Sequence, residues 1–124
     1  MTLPGDRKYT ASHQWIKADG EFFLVGITDH AQEQLGDLVF VGDVKVGAKV
    51  GAEDAVAVVE SVKTASDVYA PVSGEVVAFN EQLEVGPEQV NEAPYEAWIL
   101  KLKADNAADY DSLLDADGYQ ASLG

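Results

Sequence analysis

An internal repeat constrains the fold of this sequence more than any other feature. Two similar stretches begin 38 residues apart, and each combines a first apolar run, a turn segment with glycine, and a second apolar run. The first copy covers residues 36–40, 46–50 and 55–59, and the second covers residues 74–78, 85–90 and 97–102. Because one such unit cannot bury its apolar face alone, the repeat predicts two similar halves packed face to face. The expected fold is a flattened barrel or sandwich with quasi-twofold symmetry.

Short apolar runs rich in valine, isoleucine and phenylalanine alternate with glycine and proline along the whole chain. This spacing is typical of a small antiparallel β domain. The predicted strands cover residues 21–27, 37–41, 55–60, 74–79 and 97–102, each with more β-branched or aromatic residues than its surroundings.

One helix is predicted near 29–35. Asp29 has the position of an N-cap acceptor, and Gln32 follows three residues later to complete a capping box. Gly36 then ends the turn in the left-handed conformation.

A second helix is predicted near 107–116, at the C-terminal side of the domain. Tyr110, Leu113 and Leu114 recur there at helical spacing, and Gly118 stands just past the predicted end. This helix is expected to cap the domain.

Length and charge limit the class of protein. A chain of 124 residues is expected to form one domain over 1–124, with its core between about 9 and 119. It carries 22 acidic and 8 basic residues, so its formal charge of −14 disfavours nucleic-acid and membrane-surface partners. Cysteine is absent, which excludes disulfides and thiolate sites. The start of the chain has no features of a signal or transit peptide, so the cytoplasm is the expected compartment.

A lysine lies at the junction of the two copies. Residues 61–67 are predicted to form a hairpin tip, and Lys63, one of seven lysines, lies close to its centre. Its neighbour Val62 is apolar where a solubilising turn would use Asn, Asp or Gly, and carboxylates lie on either side of it in the sequence, at Glu60 and Asp67. The simplest interpretation is a solvated charge that protects a sheet edge. An exposed lysine is a poor base near neutral pH, but it is accessible to acylation, which removes its charge.

The segment around this lysine resembles the lipoylation segment of the glycine cleavage system H protein family. It reads ESVKTASD over residues 60–67 and YAPVSGEV over residues 69–76. Further similar stretches are SHQW at 12–15, VGITDHAQ at 25–32, LGDLVFV at 35–41, VNEAPY at 90–95 and LLDA at 113–116. The match runs in order from about residue 9 to about residue 119.

The resemblance implies a lipoyl carrier with the hybrid barrel/sandwich fold of biotinyl and lipoyl carriers. Lys63 would be joined to lipoate through an amide bond, with Glu60, Ser61, Val62 and Thr64 completing the attachment motif. Such a carrier has no catalytic residues of its own.

The resemblance also places three residues around a cleft in which the lipoyl arm rests. These are Ser12, the residue at position 14, and Asp67. The family commonly has glutamate where this chain has Gln14, and glutamine lacks the charge that would hold a cationic amine.

Family membership would imply four protein partners. A pyridoxal-phosphate glycine decarboxylase loads an aminomethyl group onto the arm while it releases carbon dioxide. A folate-dependent aminomethyltransferase then takes the methylene group and releases ammonia, and dihydrolipoamide dehydrogenase reoxidises the arm. A lipoate ligase or lipoyl transferase would attach the cofactor.

Other carriers fit the sequence less well. Biotin carriers usually place methionine on both sides of the lysine, where this chain has Val62 and Thr64. Lipoyl domains of 2-oxoacid dehydrogenases more often read Asp-Lys-Ala and lack the additional terminal segments. Two alternatives stay open, namely an H-like protein that relays lipoate to other enzymes, and an unmodified acidic β module that only binds partners.

Enzyme and metal interpretations have weak support. His13 and His30 are the only histidines, and with no cysteine a zinc site would need carboxylates from distant parts of the chain. No pair of carboxylates is distinguished by its sequence context as a glycosidase pair. Trp15 and Trp98 are interpreted as core anchors or cleft walls.

Overall fold

A computed structural model describes residues 3–123 of the chain. Nine strands and four α-helices are described in this range, together with one 3₁₀ helix. In chain order they are β1 (Lys8–Tyr9), β2 (Gln14–Asp19), β3 (Phe22–Ile27), α1 (Asp29–Leu35), β4 (Leu38–Gly42), β5 (Lys49–Val50), β6 (Ala55–Ser61), β7 (Ala65–Tyr69), β8 (Gly74–Phe79), α2 (Gln82–Val85), α3 (Gln89–Glu92), β9 (Leu100–Ala104), the 3₁₀ helix (Ala107–Ser112) and α4 (Ala116–Leu123).

Two antiparallel sheets make up the molecule, as the apolar runs predict. The larger has six strands in the order β1-β2-β3-β9-β8-β5, and the smaller has three in the order β4-β6-β7. One continuous apolar core joins them: Val25 and Leu100 come from the larger sheet, and Val41, Val59 and Val68 come from the smaller. All five side chains are almost completely buried, so the core lies between the two sheets.

The internal repeat is visible in the strand pairing. In the first copy β4 pairs with β6 and has a bulge between Leu38 and Phe40. In the second copy β8 pairs with β9 and has a bulge between Val76 and Ala78, the positions 38 residues further on. The middle parts differ, because the first copy contains the short strand β5 and the second contains α2 and α3. The two halves therefore share strand pairing and bulge position but not their connecting segment.

The helix at 29–35 is confirmed, but its predicted cap is wrong. Thr28 is the N-cap, and its hydroxyl accepts a hydrogen bond from the backbone N–H of Ala31 at 3.3 Å. Asp29 lies inside the first turn, where its carboxylate accepts from the side chain of Gln32 at 2.7 Å. Gly36 has the positive φ predicted for it, +85°, but its ψ of −161° lies outside the left-handed helical region.

The predicted helix at 107–116 is wrong as a single element. The chain forms the 3₁₀ helix at its start, returns to extended backbone, and begins α4 only at residue 116. Leu114 pairs with Tyr9 in an antiparallel bridge with two backbone hydrogen bonds of 2.7 and 3.1 Å. This pairing with the N-terminal strand overrides the helical spacing of the side chains. Gly118 consequently lies inside α4, where its N–H donates to Asp115 Oδ1 at 2.7 Å.

Membrane insertion through a helix has no support in residues 3–123. The longest α-helix described there is α4, with eight residues, and no helix has the length and apolar character needed to span a bilayer.

Candidate functional site

The β6–β7 hairpin is tighter than the sequence predicts. The strands extend to Ser61 and from Ala65, so the loop consists of residues 62–64 rather than 61–67. Glu60 pairs with Ala65 at the end of the ladder. Lys63 is the central residue of this loop, and its side chain is exposed.

Ser61 fixes the conformation of the loop. Its backbone N–H donates to the carbonyl of Thr64 at 2.7 Å, and its hydroxyl donates to the same carbonyl at 3.1 Å. The hydroxyl oxygen also accepts from the N–H groups of Lys63 and Thr64, at 3.3 and 3.1 Å. One buried hydroxyl therefore holds both sides of the lysine in place.

The ammonium group of Lys63 has no close carboxylate in residues 3–123. No acidic oxygen lies within 4.0 Å of it there, although Glu60 and Asp67 are close in sequence. Its aliphatic stem lies against Gly36: a Cβ added at Gly36 would come within 3.1 Å of Lys63 Cε. The hairpin is also joined to this region by a hydrogen bond of 3.2 Å from Val62 N–H to the carbonyl of Asp37.

A cleft of about 300 Å³ opens beside the hairpin and brings together the three residues expected around the arm. Ser12, Gln14 and Asp67 all line it. Thr64 connects the cleft to the loop of Lys63, and Ala31, Gln34 and Leu35 of α1 form another part of its wall. The cleft therefore lies in the same region as the lysine loop, which contributes Thr64 to its lining.

The acceptor capacity of the Gln14 amide oxygen in this cleft is already used. The side chain is 2% exposed. Its amide oxygen accepts from the hydroxyls of Thr10 and Ser12 at 2.7 and 2.5 Å, and its amide nitrogen donates to the Ser12 carbonyl at 3.0 Å. The exposed carboxylate of Asp67 makes no hydrogen bond to another residue of the range 3–123, so it is the anionic acceptor among the three residues.

Sequence reasoning did not identify a histidine pair beside this cleft. His13 lines the cleft, and its ring lies 4.6 Å from that of His30, centroid to centroid. Its Nδ1 contacts the hydroxyl of Tyr119 at 2.8 Å, and that hydroxyl also contacts Thr28 Oγ1 at 2.8 Å. Burial, and then the neighbouring His30, lower the pKa of His13. A separation of 17 residues in sequence gave no sign that the two rings meet.

A metal centre has no support in the part of the chain that the structure covers. Within residues 3–123 no three histidine, cysteine, aspartate or glutamate side chains are grouped so that they could hold an ion. Trp15 is buried, and its indole N–H donates to the carbonyl of Pro94 at 2.9 Å, as suits a core anchor.

Comparison with known proteins identifies the family. The sequence profile of the family described as "Glycine cleavage H-protein" matches residues 7–124. The glycine cleavage system H protein of Bordetella pertussis is 66% identical over 124 residues, which cover all of both chains. "Glycine cleavage system H protein 2" of Pseudomonas putida is 56% identical over 98% of this chain and 97% of its own length.

A solved structure supports the same assignment. The crystal structure of a glycine cleavage system H protein from Mycobacterium marinum superposes with a TM-score of 0.88 at 40% sequence identity, covering 98% of this chain and 99% of the other. This likeness confirms the predicted barrel/sandwich fold of the lipoyl-carrier type. From the length of the profile match, the identities and the shared fold, we conclude that the chain belongs to the glycine cleavage H-protein family.

Proposed function

We propose that this chain is the lipoyl carrier of a glycine cleavage system and that Lys63 is the residue that bears the lipoyl group. The observation that carries this proposal is the position of the lysine. Its exposed amine lies at the centre of a three-residue loop whose backbone Ser61 holds by hydrogen bonds. A substrate passed among several active sites needs a flexible arm on a rigid mount, and this loop has the properties of such a mount.

The residues around the lysine suit a lipoyl arm. Lys63 would hold the group through an amide bond, and the group would supply a dithiolane, a disulfide that can carry an aminomethyl unit between active sites. The chain itself holds the attachment point and offers the cleft beside it. Asp67 supplies a negative charge for a cationic amine, and Ser12 lines the same cleft.

The partners follow from the same proposal. The arm would meet the pyridoxal-phosphate decarboxylase, the folate-dependent aminomethyltransferase and dihydrolipoamide dehydrogenase, after a ligase or transferase has attached it. An arm tethered to a docked carrier has a high effective concentration at each active site. The carrier would contribute this tethering, and its partners would contribute the catalysis.

Intact-mass measurement tests the attachment site. The wild-type protein, Lys63→Arg and Lys49→Arg would be produced in lipoate-replete cells and also treated with a lipoate ligase. Lys49 is a suitable control because it is exposed on β5, which pairs with β8 in the six-stranded sheet, whereas the hairpin belongs to the other sheet. We expect one lipoyl increment in the wild type and in Lys49→Arg, and none in Lys63→Arg. Absence of an increment from all three would favour the unmodified binding module.

A second measurement separates glycine cleavage from a lipoate relay. The lipoylated protein would be added to a glycine decarboxylase of this system, and the glycine-dependent exchange of carbon dioxide would be followed. We expect exchange to require the lipoylated carrier and to be absent with Lys63→Arg. A lipoylated protein that supports no exchange but donates lipoate to other carriers would instead be a relay.

A further inference from the structure

The backbone of residues 36–38 lies directly beside the lysine of the hairpin. The stem of Lys63 rests against Gly36, and Val62 N–H donates to the carbonyl of Asp37. This segment, which we call the support segment, follows the end of α1. Because α1 also forms a wall of the cleft, the position of the support segment affects how the Lys63 stem lies relative to that helix.

One side chain from the other half of the molecule holds the support segment. The amide nitrogen of Asn91 donates to the carbonyl of Gly36 at 2.9 Å, and its amide oxygen accepts from Leu38 N–H at 2.9 Å. The same nitrogen donates its second hydrogen to Gln32 Oε1 on α1, also at 2.9 Å. Asn91 belongs to α3 and lies 53 to 59 residues along the chain from these partners.

Asn91 bonds to the two residues next to Asp37, the residue that accepts a hydrogen bond from the hairpin. Gly36 and Leu38 lie on either side of Asp37, whose carbonyl accepts from the hairpin. The support segment is therefore held by Asn91 on one side and contacts the Lys63 loop on the other. All three hydrogen bonds of the Asn91 amide go to α1 or to the support segment. Both of its N–H hydrogens and its oxygen therefore serve this junction.

We infer that Asn91 is a positioning residue for Lys63. By fixing the support segment, it sets the direction in which the lysine stem leaves the hairpin, toward Gly36 at the end of α1. This inference rests on the proposed function, because it concerns the presentation of the same lysine. It assigns a role in that presentation to α3, an element that contributes no residue to the hairpin.

The test compares Asn91→Ala with Asn80→Ala. Asn80 is a matched control because it is also half-buried, donates to the Trp98 carbonyl at 2.9 Å and accepts from Gln82 N–H, with no contact to the hairpin. In the unmodified proteins, ¹³C NMR would record Lys63 Cε, and ¹⁵N NMR would record the amide of Val62. Ligase-dependent lipoylation and acetylation of Lys63 by acetic anhydride would be measured beside them.

Asn91→Ala should move the Lys63 and Val62 resonances and lower kcat/KM of the ligase by about tenfold, as expected for a misplaced reacting group. Acetylation by the small reagent should stay within about twofold, since exposure of the amine is unchanged and only its placement differs. Asn80→Ala should leave both resonances, kcat/KM of the ligase and the acetylation rate at wild-type values. If Asn91→Ala and Asn80→Ala give the same resonances and the same kcat/KM, the inference is wrong.

Two further arrangements keep the test decisive. If Asn91→Ala does not fold, Asn91→Asp replaces it, because it keeps the acceptor for Leu38 N–H but sets a carboxylate against the Gly36 carbonyl. If the wild-type protein is not lipoylated by any ligase, the proposed function fails. The NMR comparison on the unmodified protein then still decides whether Asn91 controls the placement of Lys63.

Discussion

At the scale of single residues, the charge of the cleft depends on Asp67, because Gln14 is neutral and internally hydrogen-bonded. The hydroxyls of Thr10 and Ser12 already point at the position-14 oxygen. A carboxylate at this position would keep both hydroxyl donors, lose the hydrogen bond to the Ser12 carbonyl and add a negative charge to the wall of the cleft.

Gln14→Glu is therefore expected to slow the loss of methylamine from the loaded carrier. A charge-assisted hydrogen bond exceeds a neutral one by about 1 kcal/mol, which corresponds to about fivefold in rate. Release would be followed by the decay of the loaded species in intact-mass spectra. Gln120→Glu, an exposed position on α4, makes the same chemical change outside the cleft and should not alter release. Equal rates for Gln14→Glu and wild type would contradict the prediction.

His13 should make stability depend on pH. Burial and the neighbouring His30 lower its pKa in the folded state, whereas in the unfolded chain it titrates near its ordinary value of about 6.5. As the pH falls through about 6.5, the unfolded chain binds the proton first, so the free energy of unfolding decreases. At higher pH both states are neutral at this residue, and its effect disappears.

The measurement is urea unfolding at about pH 7.5 and about pH 5.5, on either side of the histidine range. His13→Asn should show a smaller loss of stability between the two values. Asparagine is a suitable replacement because it tolerates the positive φ of 72° at this position. The same loss in both proteins would show that His13 is not responsible.

At the scale of elements, the β6–β7 hairpin depends on Ser61 more than on its turn sequence. Ser61→Ala removes the hydroxyl that bonds to Lys63 and Thr64 and should lower the free energy of unfolding by about 1 kcal/mol. It should also speed amide hydrogen exchange at Thr64. Ser66→Ala is the control, because its hydroxyl is exposed and makes only a 3.4 Å contact with Asp67. Similar effects from both substitutions would contradict the assigned role of Ser61.

The elements also show what could be predicted from sequence. Five strands followed from apolar runs, because the need of each run for burial can be read from its own residues. The pairing of Leu114 with Tyr9 and the contact of Asn91 with Gly36 could not be predicted, because they join residues far apart in the chain. Thr28 was missed as a cap because Asp29 next to it is an equally good capping residue.

The candidate site was predictable to a similar extent. The sequence around Lys63 and the resemblance together named the lysine and three residues that line one cleft. The histidine pair, the support segment and the internal hydrogen bonds of Gln14 depend on how separate elements pack. Such packing leaves no periodic signal in the sequence.

At the scale of the whole molecule, charge is unevenly distributed between the sheets. The six-stranded sheet carries five of the seven lysines, on β1, β2, β5 and β9. The three-stranded sheet and its hairpin carry Lys63 together with Glu60 and Asp67. Lipoylation would remove the charge of Lys63 and change the formal net charge from −14 to −15. The face that presents the arm would then be anionic.

Docking to the decarboxylase is therefore expected to weaken with salt. KM for the lipoylated carrier should rise several-fold as ionic strength increases from about 10 to 150 mM, because screening shortens the range of attraction to basic residues on the partner. Steady-state exchange assays would measure this at constant glycine concentration. Sucrose at matched osmolality serves as the uncharged control. A KM that does not respond to salt would exclude electrostatic docking.

The short, hydrogen-bonded loop around Lys63 has a consequence for the thermodynamics of partner binding. Residues 62–64 are already ordered by Ser61 and by the contact with Asp37, so docking does not have to freeze their backbone. Ordering the backbone of one residue costs about 1–2 kcal/mol in conformational entropy. For residues 62–64 this loss occurs when the protein folds and is not repeated on docking. Within the hairpin, the conformational entropy lost at each partner is thus mainly that of the side chain of Lys63 and its arm, in addition to the translational and rotational entropy that every association costs. Under the proposed function, the carrier would bind and leave its partner enzymes in turn without refolding its hairpin each time.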